Sequence, residues 1–155
     1  MIVPDINLLL YAYDAGSPFH SKAAAWWQRC LSGIEPVGLA HVAVFGFIRI
    51  GTNRRVFGNP LTPIEAAEHV RSWQAQPVVQ ILEPGADHVA KVLKLLETLG
   101  AGGNLVTDAQ LAALALEHSA VLHTADADFL RFRGLRWFNP ITGVASRGLP
   151  RSKQP

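Results

Sequence analysis

One cysteine, Cys30, stands in 155 residues. A single thiol closes no disulfide framework and cannot build a cysteine-rich zinc site. Charge is also scarce: charged residues make up 17% of the chain and the formal net charge is +2. No global basic field therefore forces a nucleic-acid partner, although the slight positive balance permits one. Long apolar runs are missing as well, and nothing approaches the ~18 uncharged residues that span a bilayer. The opening stretch "MIVPDINLLLYAYD" lacks a basic n-region and carries Asp5 inside its apolar run, which argues against a signal peptide. A soluble, cytoplasmic protein with no membrane association is expected. The six histidines show no paired ligand spacing of the H-E-x-x-H kind, and only His123 falls near other candidate groups.

An apolar fraction of 49% is ample for one packed core. Ile2 and Val3 read as a short buried strand that Pro4 ends, and "INLLLYAYD" as a first turn of helix. Helix formers run from Pro18 to about Leu31. "PVGLA" is a brief strand, and "HVAVFGFIRIGTN" a helix stopped near Gly51 and Asn53. Thr62 and Pro63 open another helix, as N-cap and first helical residue, with Glu65 following. "VVQIL" is a strand, "ADHVAKVLKLLETLG" an amphipathic helix closing on Gly100, "TDAQLAALALEH" a buried helix, "AVLHT" a strand and "LRWFNP" a last one. Strands alternating with helices predict an α/β fold, a single domain over residues 1–141 with a mostly parallel central sheet flanked by helices. Residues 142–155 have no apolar period and are expected to form a flexible C-terminal tail.

The stretch "LHTADADF" places Asp126 and Asp128 directly after an apolar strand, where a turn needs only one acid. Asp5 lies just past the first strand, and Asp108 opens the helix leading into "AVLH". Ligands of open parallel sheets bind beyond the carboxyl ends of the strands, so separate segments deliver carboxylates to one rim. Each acid alone is explained by capping or by the helix dipole. Together they repel, and the repulsion is relieved by a hard divalent cation, Mg²⁺ or Mn²⁺. Such ions activate water against a phosphodiester.

"PDINLLLYAYD", "FGFIRIGTNRRVF", "GNLVTDAQLAALALEH" and "LHTADADFLRFRGLRWFNP" together resemble the PIN domain, and within it the VapC-type toxin ribonucleases of bacterial toxin–antitoxin pairs. The resemblance implies a metal-dependent endoribonuclease, with Asp5, Asp108 and Asp126 as metal-binding acids and Asp128 in support. It implies that Asn7 and Thr124 orient the acids or the attacking water, with Thr107 and Asn104 as weaker candidates. It also implies an RNA substrate, a cognate antitoxin protein and a homodimer. One departure stands out: many family members carry a glutamate where this chain has Gly46. That leaves a second ion without one ligand, and it is the best support for the alternative of a degenerate PIN fold that binds RNA or a protein partner without catalysis.

Arg131, Arg133 and Arg136 follow the aspartates, and Arg49, Arg54 and Arg55 follow the middle helix. Arg131 and Arg133, nearest the acids, are candidate phosphate contacts. Adjacent Trp26 and Trp27 lie ~100° apart on a helix, so one of them is expected to be exposed. A haloacid-dehalogenase-like phosphatase is disfavoured because Asn7 replaces the second acid of D-x-D. A phospho-receiver is disfavoured because no lysine occurs between Lys94 and Lys153.

Overall fold

The computed structural model describes residues 1–147. Its centre is β1 (Ile2–Pro4), with β2 (Val37–Ala40) and then β3 (Val79–Leu82) on one side. On the other side lie β4 (Val121–His123) and β5 (Trp137–Phe138). All four pairings are parallel, as alternation of strand and helix predicts. Every residue of β1 and β2 is buried, which is why both read as unbroken apolar runs.

Helices α1 (Ile6–Tyr13) and α2 (His20–Ser32) connect β1 to β2, and α3 (His41–Gly51) and α4 (Pro63–Gln74) connect β2 to β3. Helices α5 (His88–Leu99) and α6 (Leu105–Glu117) lead to β4. The punctuation is largely as expected. Thr62 and Glu65 form a reciprocal capping box with Pro63 in the first turn, and Gly100 ends α5 at φ 63°. Two boundaries move. Helix α1 spans eight residues rather than one turn, because Leu8, Leu9 and Leu10 all find buried surroundings. Helix α6 starts at Leu105, which puts Asp108 inside its first turn rather than at its opening.

One expectation is corrected. Trp26 and Trp27 are both buried, at 4% and 3% exposure, because α2 is covered on two sides. Trp26 meets His123 of β4, with ring centroids 5.9 Å apart, and Trp27 meets Trp73 of α4 at 5.5 Å. Residues from Thr142 do not leave the fold at once. Asn139 and Val144 close a turn, Ala145 bridges Phe138, and the Ser146 amide donates to the Trp137 carbonyl at 2.9 Å. Residues 148–155 of the expected tail lie outside the described residues. Among the described residues, no helix is long and apolar enough to cross a membrane.

Candidate active site at the rim between β1 and β4

The chain runs outward from β1 through β2 to β3, then returns to the other side of β1 for β4 and β5. The reversal falls between β1 and β4, and such a switch point opens a crevice beyond the carboxyl ends of the two strands. Asp5 follows β1 there, and Thr124 follows β4.

A chain of hydrogen bonds ties the two strand ends together. The Asp5 amide donates to the His123 carbonyl at 2.9 Å. The Thr124 hydroxyl donates to Asp5 Oδ2 at 2.8 Å and accepts the Asp126 amide at 2.9 Å. The Asp128 amide in turn donates to Asp126 Oδ1 at 2.8 Å, at the start of a short 3-10 turn over Ala127–Arg131. Asp5 occupies the N-cap of α1 without capping it, because its carboxylate is committed to Thr124. The doublet therefore has a division of labour: Asp126 faces the rim and organises the turn, while Asp128 stands further out.

Electrostatics gather the acids more firmly than sequence does. Burial drives the Asp5 carboxyl up to about 7 against the pull of the Thr124 hydroxyl, and the Asp108 and Asp126 carboxylates push it further. Burial also raises Asp108, to about 6, with Asp126 and Asp128 adding to the rise. Asp108, the acid whose place local sequence left least certain, thus shares one field with the other three. A hard cation is the direct remedy for such crowding. Among the described residues no group of three or more His, Cys, Asp or Glu side chains closes around a point that would hold an ion. The donor chemistry fits an oxygen-seeking divalent ion that retains much of its water, and the side chains as placed do not form a finished cage.

The remaining candidates lie as follows. Asn7 is half-buried in the first turn of α1 and Thr107 half-buried beside Asp108, whereas Asn104 is exposed. Arg131 and Arg133 are exposed, and Arg131 lies 3.8 Å from Asp128. An ion pair in that setting is worth little and leaves the guanidinium available. His123 has a structural occupation: its Nδ1 accepts the Trp26 Nε1–H at 3.0 Å, and burial holds the ring down to about 4, so it is neutral at physiological pH.

Gly46 is buried in α3, and a Cβ there would meet Ile6 Cδ1 at 2.4 Å and Cγ1 at 3.0 Å. The glycine lets α3 approach α1 one residue past Asp5. Sequence reasoning also missed Tyr11, whose phenol is raised by burial and by the charges of Asp5 and Asp126. The available signal was its spacing, one helical turn after Asn7.

The Thr124 hydroxyl gives a direct test of the hydrogen-bond chain. Thr124→Val keeps the shape but leaves Asp5 without its donor and the Asp126 amide without its acceptor. A loss of about 2–3 kcal/mol is expected, with Thr124→Ser recovering most of it. A denaturation midpoint unchanged in Thr124→Val would show that the bridge contributes nothing.

Comparison with known proteins is consistent with this geometry. The family model described as PIN domain matches residues 2–135. Ribonuclease VapC33 of Mycobacterium tuberculosis is 47% identical over 141 residues, covering 91% of this chain and 99% of that protein. Among solved structures, Mycobacterium tuberculosis VapC20, described as a sarcin-ricin loop cleaving toxin, superposes with a TM-score of 0.64 at 18% identity. That match covers 84% of this chain and 93% of VapC20. VapBC2 from Rickettsia felis, solved bound to a DNA fragment from its promoter, gives a TM-score of 0.63 at 15% identity. It covers 88% of this chain and 97% of the other.

Proposed function

The chain belongs to the PIN-domain family, and on that premise we propose that Asp5, Asp108 and Asp126 hold the divalent ion with which it cleaves RNA. It is a VapC-type ribonuclease, an RNA-cleaving hydrolase and the toxin of a toxin–antitoxin pair. The observation that carries the site assignment is the Thr124 hydroxyl joining buried Asp5 to the Asp126 turn across the switch point.

A bound Mg²⁺ or Mn²⁺ supplies Lewis acidity and an acidified water at neutral pH. The residues of this chain do the rest. Thr124 fixes the orientation of Asp5. Asp108 and Asp126 bring the further oxygens, and Asp128 adds negative potential while its amide shapes the turn. Asn7, on the half-exposed side of α1, orients the attacking water. Arg131 and Arg133 contact backbone phosphates, which position RNA without reading its sequence. The cognate antitoxin is the protein partner, the toxin acts as a homodimer, and its place of action is the cytoplasm that holds its substrate.

The degenerate, non-catalytic reading rested on Gly46. The close approach of Ile6 gives that glycine a packing reason that needs no loss of activity.

Two measurements test the proposal together. Labelled RNA should be cut by the wild type with Mg²⁺ or Mn²⁺ and left whole in chelator. The melting temperature should rise by about 5 °C or more at a metal concentration a hundredfold above Kd, since only the folded state binds. Asp126→Asn should remove most of both effects. A melting curve indifferent to millimolar Mn²⁺ rules out the metal site as drawn.

A further inference from the structure

On α1 the buried residues Ile6, Leu8, Leu9, Leu10 and Ala12 take one side. The half-exposed Asn7 and Tyr11 take the other, and Asp14 continues it as the C-cap, whereas half-exposed Tyr13 turns back onto Phe47 and Trp73. Asn7 and Tyr11 are one turn apart, about 5–6 Å along the axis, so the open side of the helix leads from the acidic rim to an aromatic ring. A second ring waits there. Phe19 is 41% exposed, and its centroid lies 5.2 Å from that of Tyr11 at an interplanar angle of 55°. The turn that carries Phe19 is fixed in place. The Phe19 amide donates to Ser17 Oγ at 3.2 Å, and His20 Nδ1 lies 3.0 Å from the Tyr11 carbonyl.

A lone exposed phenylalanine needs no explanation. A tilted aromatic pair continuous with a cluster of carboxylates is different, because the acids themselves repel a polyanion and something else must hold the chain beside them. We propose that Tyr11 and Phe19 form a stacking step for a nucleobase of single-stranded RNA, next to the phosphodiester that the acids address. Tyr11 stands on the helix that Asp5 opens, one turn beyond Asn7, and its phenol is raised first by burial and then by the charges of Asp5 and Asp126. Aromatic faces accept any base, so the step grips RNA without dictating sequence. Duplex RNA, whose base faces are hidden in the helical stack, is not a ligand for it. The inference rests on the ribonuclease reading above.

The test uses the full chain and a single-stranded oligoribonucleotide with one 2-aminopurine, moved along the strand, in chelator so that nothing is cut. Stacking should quench the probe at one or two positions. Phe19→Leu, a change at an exposed position, should abolish that quench and weaken binding roughly tenfold, with no change in its salt dependence because phosphate contacts remain. In the cleavage assay with Mn²⁺ the same variant should show the loss in KM. Phe19→Trp should restore binding. If the wild type neither binds nor cuts RNA, the ribonuclease reading fails. If the wild type cuts RNA and Phe19→Leu matches it in quench, affinity and KM, the stacking step is wrong, and this holds equally if that variant weakens capture of the antitoxin instead.

Discussion

Asp5→Asn is expected to lower RNA cleavage by several orders of magnitude and at the same time to stabilise the metal-free protein at pH 8. The two effects share one cause. Asp5 is 3% exposed, and its carboxyl is raised from 3.8 to about 7 by burial and by the neighbouring acids. Between those values the folded state holds a proton that the unfolded state has released. The contribution to stability is therefore fully present below pH 4 and is lost as pH rises through 7. A rise from 3.8 to about 7 corresponds to about 4 kcal/mol, a large share of the stability of a small domain. Asparagine does not titrate, and its oxygen still accepts the Thr124 hydroxyl, so the variant should lose much less stability between pH 5 and pH 8. Asp108, raised in the same direction but half-exposed, leaves a smaller slope in both proteins. On the proposed site, activity is expected to fall because the ion would lose a charged ligand from a segment that no other acid can replace. Urea denaturation in chelator at pH 5 and pH 8, beside a cleavage assay, decides the matter. Parallel stability profiles would refute the electrostatic account, and full cleavage by Asp5→Asn would refute the metal mechanism.

The order of elements and the positions of Asp5 and Asp126 past β1 and β4 were legible because both depend on local signals. Thr62, Pro63 and Glu65 announce a helix by their own hydrogen bonds. Asp5 and Asp126 announce a rim by following short apolar strands. What stayed hidden depends on which side chain faces which. Helical angle alone places Trp26 and Trp27 on different sides, but not that α4 and β4 each supply a cover. The pairing of Ala145 with Phe138 joins a segment with no apolar period to the sheet edge through backbone bonds, which composition cannot reveal. Local sequence offers Asp126 and Asp128 as one doublet, and only the family resemblance gives Asp128 the supporting place. In the structure the Asp126 amide donates to Thr124 and its carboxylate accepts the Asp128 amide, while the Asp128 side chain lies outward at 55% exposure.

Gly46 illustrates the same limit, since sequence presented it as a missing ligand and the structure gives it a packing role. Gly46→Glu alone is expected to destabilise the protein by about 3 kcal/mol or more. The new Cβ would lie 2.4 Å from Ile6 Cδ1, overpacking costs about 1–3 kcal/mol, and an added buried charge costs more unless it is paired. Replacing glycine inside a helix returns at most ~1 kcal/mol. The offending atom can be removed by itself, because Ile6→Val deletes Cδ1 at a cost of about 0.5–1.5 kcal/mol. The double variant should therefore be more stable than the sum of the single changes predicts, by about 1 kcal/mol or more of coupling. Ile6 directly follows Asp5, so a carboxylate accommodated there joins the acidic rim. Mn²⁺ should then raise the melting temperature of the double variant further than it raises that of the wild type. The measurement is a double-mutant cycle of melting temperatures with and without Mn²⁺. Single changes that add to within ~0.5 kcal/mol would mean that Ile6 does not set the space at position 46. A Mn²⁺ shift in the double variant no larger than the wild type's would mean that a carboxylate at this position does not reach the ion.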